Sequence, residues 1–131
     1  SEALRNNTSG YANTAVGLGS LVSNTTGAVN TSVGASALTN NTTGQANTAL
    51  GSSALAINTT GNNNVALGRE AMNDNSTGSN NTAIGYNALV ANSSGRSNVA
   101  IGINAAAQNG AANNNVAVGD SALYTLFPRL F

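Results

Sequence analysis

The chain has no cysteine, no histidine and no tryptophan, and a single proline, Pro128. Without Cys and His it has no disulfide, no thiolate or imidazole chemistry and none of the usual zinc ligands. Charge is nearly as scarce. Four basic and four acidic residues give a formal net charge of zero, which leaves no basic patch for nucleic acid or an anionic membrane. The carboxylates Glu2, Glu70, Asp74 and Asp120 recur at no fixed spacing, so neither an acid–base pair nor a calcium-binding repeat is written into the chain. No apolar run approaches the ~20 residues of a membrane helix. Ser1-Glu2-Ala3-Leu4 also lacks the basic start and apolar stretch of a signal peptide. These absences point away from catalysis, cofactors, bound metals and membrane insertion.

What is present is Asn, Thr, Ser, Gly and Ala, a composition that by itself suits a disordered, low-complexity chain. The period argues otherwise. Asn13, Asn30, Asn47, Asn64, Asn81, Asn98 and Asn115 stand 17 residues apart. A second column holds Asn7, Asn24, Asn41, Asn58, Asn75, Asn92 and Asn109. A third holds Gly17, Gly34, Gly51, Gly68, Gly85, Gly102 and Gly119. A short period without insertions marks a stacked, quasi-one-dimensional fold. Tandem helical repeats need ~33 residues or more, about twice this period. The expected class is therefore all-β, a parallel β-solenoid of about seven 17-residue coils.

One copy, Gly78 to Asn92, reads as a strand, Asn81-Thr82-Ala83-Ile84-Gly85, then a second strand, Asn87-Ala88-Leu89-Val90-Ala91. Between copies lies an Asn-x-x-Gly turn such as Asn24-Thr25-Thr26-Gly27, where Asn and Gly supply the turn conformations. The same Asn-Thr-Thr run is a formal glycosylation sequon, read here as turn chemistry. In the first strand a β-branched column (Thr14, Thr31, Thr48, Val65, Thr82, Val99, Val116) comes first. It precedes a small column with Ala49, Ala66, Ala83 and Ala100 and a large one of Val16, Val33, Leu50, Leu67, Ile84, Ile101 and Val118. In the second strand Ala54, Ala71 and Ala88 stand beside Leu38, Leu55 and Leu89.

Adjacent strand residues face opposite ways, so both strands are expected to have two apolar faces. One face lines the coil, and the other needs a cover, most simply a second copy of the chain; otherwise the Ala columns are merely exposed. One coil offers few large side chains against the entropy of ordering 17 residues. Hydrogen bonds between coils must supply the rest. The Asn columns are either amide ladders along the stack or solvent-facing turn formers.

The variable columns hold most of the charge and aromatic rings. From them Tyr11, Tyr86 and Arg96 are the candidates for contact with a host surface glycan or matrix protein, against a reading as solvated turns. The repeat domain spans residues 1–123, and residues 124–131 break the pattern. Tyr124, Leu126, Phe127, Leu130 and Phe131 form either a hydrophobic cap on the last coil or a docking tail for another subunit.

The unit Asn81-Thr82-Ala83-Ile84-Gly85-Tyr86-Asn87-Ala88-Leu89 resembles the head repeats of YadA-like trimeric autotransporter adhesins. Similar Asn-Thr-Ala-Ile-Gly repeats occur in phage tail fibres and large bacterial surface proteins. The resemblance covers Ala3 to Leu123. It implies a left-handed β-roll, a homotrimer around an apolar axis and attachment to host surfaces. The coils here carry a longer Asn-Thr-Thr-Gly turn than compact adhesin heads. The expected function is a non-enzymatic, extracellular structural or adhesive rod that associates with itself. The alternative is a filament subunit that polymerises end to end through its C-terminal tail. An ice- or glycan-binding solenoid is a further rival, since Thr14, Thr31, Thr48 and Thr82 share a column.

Overall fold

A computed structural model describes residues 2–125. Leu126, Phe127, Leu130 and Phe131 lie outside the described residues. Seven three-residue strands form one parallel sheet in chain order: β1 (Thr14–Val16), β2 (Thr31–Val33), β3 (Thr48–Leu50), β4 (Val65–Leu67), β5 (Thr82–Ile84), β6 (Val99–Ile101) and β7 (Val116–Val118). Each residue pairs with the one 17 positions on, as in Thr48↔Val65, Ala49↔Ala66 and Leu50↔Leu67. The chain is a β-solenoid of about six turns. β-Branched residues at the strand starts suit this geometry, because their stiff side chains pack on a pleated surface.

The expected second strand does not form. Asn87-Ala88-Leu89-Val90-Ala91 and its counterparts run as successive turns. The cause is backbone handedness. Asn87 has φ 55° and Leu89 φ 54°, and the same two columns are left-handed at Ser36 and Leu38, at Ser53 and Leu55, and at Glu70 and Met72. A left-handed residue reverses the side-chain direction, so strand alternation is lost. Ala88 and Leu89, adjacent in sequence, both point inward and are fully buried. Coil-to-coil hydrogen bonds persist through the segment, with the Leu89 N–H on the Ala105 carbonyl and the Ala91 N–H on the Ala107 carbonyl, each at 2.9 Å.

The core is correspondingly narrow. Leu21, Leu38, Leu55, Met72 and Leu89 enter from the turn side. Ala49, Ala66, Ala83 and Ala100 face them from the strand side. With the long side chains supplied by one wall, the other has room only for methyl groups. Two serines stand at small-column positions, Ser20 and Ser32, and satisfy each other inside: the Ser20 hydroxyl donates to Ser32 Oγ at 2.7 Å and the Ser32 hydroxyl to the Ala37 carbonyl at 2.9 Å.

The large first-strand column, Val16, Val33, Leu50, Leu67, Ile84, Ile101 and Val118, is therefore no part of the core; of the two apolar strand faces the small one lines the coil. They point outward with the β-branched column. Val16 is 57% exposed, Leu67 40% and Val118 65%; Val33 and Ile84 are half-buried. The second segment contributes no matching apolar outer face, because its Ala and Leu columns both turn in.

Left-handed backbone also sets a stability handle. Val29 has φ 60° and is 53% exposed. For a β-branched residue this region is strained, at about 1–2 kcal/mol. Later coils place Asn63, Asn80 and Asn114 at the same phase, also at positive φ. Val29→Asn is expected to stabilise the chain by about 1 kcal/mol. A rise of a few degrees in the unfolding midpoint checks this, and an unchanged or lower midpoint counts against it.

Candidate functional site

Both Asn columns lie inside the solenoid and run its length as hydrogen-bond ladders. In one, the Asn58 amide donates to Asn41 Oδ1 at 2.8 Å and to the Gly61 carbonyl at 3.1 Å, and its own Oδ1 accepts from Asn75 at 3.0 Å. The same pattern links Asn24, Asn41, Asn75 and Asn92. In the other, Asn47 directs its backbone N–H at 3.0 Å and its side-chain amide at 3.2 Å to Asn30 Oδ1. The amide also reaches the Gly61 carbonyl at 2.8 Å. Asn30, Asn64, Asn81 and Asn98 repeat this; Asn13 opens the ladder as the acceptor for Asn30, and Asn115 donates to Asn98 and Asn109 Oδ1. Each fully buried Asn of these two columns is thus tied to the coil before it and to the turn that closes a coil. A buried polar group satisfied in this way locks the register rather than opposing the fold.

A third ladder runs along the turn edge. Hydroxyls of Thr25, Thr42 and Thr59 each donate to the carbonyl of the residue 17 positions on, at 3.0–3.1 Å. Part of the variable surface column is structural too. The Gln45 N–H donates to Asn62 Oδ1 at 2.8 Å, the Asn62 N–H to Ser79 Oγ at 3.0 Å and the Arg96 N–H to Asn113 Oδ1 at 2.7 Å. The recurrence of Asn and Ser at that phase is the signal that identifies this role.

Two surfaces remain to act on other molecules. The first is the outer face of the sheet, where Thr/Val and Val/Leu/Ile columns run side by side over all seven strands. No charged residue interrupts either column. The second is the set of variable side chains. Tyr11 is 69% exposed and Tyr86 42%. Tyr11 and Arg96 share one column but stand five coils apart, roughly 24 Å at the usual strand spacing, so they do not form one cluster. Tyr86 instead pairs with Arg69 of the preceding coil, whose guanidinium carbon lies 5.6 Å from the ring centroid. Glu70 also holds Arg69 at 2.9 Å, and that hydrogen bond, followed by the charge, raises the guanidinium above its ordinary pKa. Tyr124 is exposed, and its carbonyl accepts the Gln108 N–H at 2.9 Å.

Among the described residues no group of three or more acidic, His or Cys side chains is placed to hold a metal ion. Two carboxylates, Glu2 and Glu70, sit in exposed ion pairs with Arg5 and Arg69. No family model matches the chain, and neither a curated protein nor a solved structure matches it.

Proposed function

We propose that the chain is a non-enzymatic, extracellular structural or adhesive rod whose copies associate side by side through the outer sheet face. The observation that carries this reading is the continuity of that face. Val16, Leu50, Leu67, Ile101 and Val118 stay exposed on a single chain at one phase of the repeat, flanked by the parallel Thr/Val column. Scattered surface apolar residues need no explanation, but a contiguous apolar stripe marks an interaction surface. The covering partner is a second copy, because a stripe with the period of the repeat is matched best by another stripe of the same period. The resemblance of Asn81–Leu89 to adhesin head repeats supports three copies, a left-handed coil and a role in attachment. Tyr11, Tyr86 and Arg96 then lie among the groups available to a host glycan or matrix protein.

Leu67→Asp tests the reading. Its side chain points away from the core, so the solenoid is expected to fold, with circular dichroism unchanged. A charge at the centre of an apolar interface leaves a desolvated carboxylate without a partner. The solution mass is expected to fall to that of one chain, 12.9 kDa. Retention of the wild-type oligomer mass would remove the outer face from the interface. A chain that is monomeric without substitution would turn this face to water. Thr14, Thr31 and Thr48, exposed in one column, then favour ice binding as the second reading.

A further inference from the structure

Beside the ladder of Thr25, Thr42 and Thr59 runs a second hydroxyl column that the chain does not use. Ser9, Thr26, Thr43, Thr60, Thr77 and Ser94 stand at one phase of the 17-residue period, and all are exposed. The inner hydroxyls, of Thr8, Thr25, Thr42, Thr59, Ser76 and Ser93, each donate to the carbonyl one coil on at 2.8–3.4 Å, whereas among the described residues the outer ones make no hydrogen bond. Other exposed columns vary. Tyr11 shares its phase with Gln45 and Arg96, and Leu18 shares its phase with Arg69 and Asp120. An exposed turn position also suits Asn, Asp or Gly, and the turn at Asn109 has Ala111 there. Ser or Thr in six consecutive turns is thus required neither by the turn nor by a bond inside the chain.

The column is also rigid. The N–H groups of Thr26, Thr43 and Thr77 each donate to a carbonyl of the next coil at 3.2 Å. Two residues earlier, Asn24, Asn41 and Asn75 are locked in the buried amide ladder. Successive side chains therefore stand one coil apart, roughly 4.7–4.9 Å at the usual strand spacing. Liquid water solvates a hydroxyl at any spacing and gains nothing from an even, fixed row. Preorganisation favours only a partner that is itself rigid and periodic, which means a crystalline surface. A polysaccharide crystal is bound mainly through aromatic rings laid on its sugar faces, and neither hydroxyl column carries a ring. Neither carries a charge, which would keep its own shell of liquid water. Thr offers a methyl group beside its hydroxyl, and an ice surface alternates open cages with hydrogen-bonding oxygens.

We infer that this turn-edge column binds ice. Its methyl groups sit in the surface cages and its hydroxyls join the surface oxygens, in a file that runs along six coils. No Val interrupts it, as Val65 interrupts the column of Thr14, Thr31 and Thr48 on the sheet. The column lies on the turns and not on the outer sheet face, so the contact is independent of whether other copies cover the sheet.

The test is partition into ice. A single ice crystal is grown slowly through a dilute solution of the full chain, and the protein taken into the ice is compared with that left in the liquid. The wild-type chain is expected to be enriched in the ice. Thr43→Lys combined with Thr60→Lys removes no hydrogen bond of the fold and is expected to leave the chain in the liquid, with circular dichroism unchanged. Ala35→Lys combined with Ser52→Lys adds the same charge to another exposed column and is expected to partition as the wild type does. If the first pair does not fold, Thr26→Lys combined with Thr77→Lys takes its place. Wild-type chain left in the liquid, a folded Thr pair that still enters the ice, or equal loss in the control pair would each overturn the inference. So would retention of the wild-type chain on microcrystalline cellulose but not in ice, which would assign the column to polysaccharide.

Discussion

Gly51→Ala is expected to destabilise the solenoid by about 3 kcal/mol or more. Two penalties coincide there. The residue has φ +136°, where an L side chain is strained, and its Cβ would lie 2.5 Å from the Gly68 carbonyl oxygen and 2.6 Å from the carbonyl carbon. Both obstacles are backbone of the adjacent coil, so neither can rotate away, and relief requires the coils to separate along the stack. Coil separation would strain the β3–β4 pairing and the Asn ladders together. Chemical denaturation followed by circular dichroism measures this. Gly110→Ala provides the contrast. It also has positive φ, but among the described residues an added Cβ there meets nothing within 4 Å, so its expected cost is the conformational part alone, about 1 kcal/mol. Equal effects of the two substitutions would show that close coil contact is not what holds glycine in the column.

The second large effect is expected at Asn58. Its replacement by Ala removes two donated hydrogen bonds and one accepted bond. It leaves Asn41 Oδ1 and one Asn75 N–H without a partner in a buried site, while the Gly61 carbonyl keeps its bond from the Asn47 amide. Each unsatisfied buried group costs about 1–3 kcal/mol; with partial relaxation, the total is expected at about 3–5 kcal/mol. Asn7→Ala, in the first coil, breaks one donated bond to the Gly10 carbonyl and one accepted from Asn24, and Asn7 is only half-buried. Its effect should be less than half as large. A ladder that matters only as a set of local turns would instead give similar losses at both positions.

These two predictions separate what was legible in the sequence from what was not. The stack, its period and the strand position follow from Asn, Gly and β-branched residues at constant phase, because each side chain meets its own kind in the next coil. The division of the strand into one small and one large column was also legible. Which of the two faces inward was not, since hydrophobicity favours burying Leu67 or Ile84 over Ala66 or Ala83. The choice is made by volume: Leu55, Met72 and Leu89 fill the interior from the opposite wall. Their inward direction in turn depends on left-handed backbone at Leu and Met, residues that carry no local signal for it. At the neighbouring left-handed phase Asn87 and Asn104 give a weak signal, but Ser36, Ser53 and Glu70 hide it. A second strand was therefore the natural reading of Ala88-Leu89-Val90, and tertiary packing overrode it.

The Asn-x-x-Gly turn shows the same limit at smaller scale. Its sequence announces a turn, yet the forward-pointing hydroxyl and N–H donors of Thr25 appear only once the coils are stacked. For the variable columns, the phase alone predicts the Arg69–Tyr86 contact, since the two residues stand 17 apart.

Lateral association requires that the outer sheet face be covered by other copies of the chain. Light scattering on the purified chain over a wide concentration range tests this most directly. A sharp, concentration-independent mass of three times 12.9 kDa is predicted. A mass of one chain throughout, with circular dichroism and melting intact, would contradict lateral association and leave the Thr-bearing face open to water.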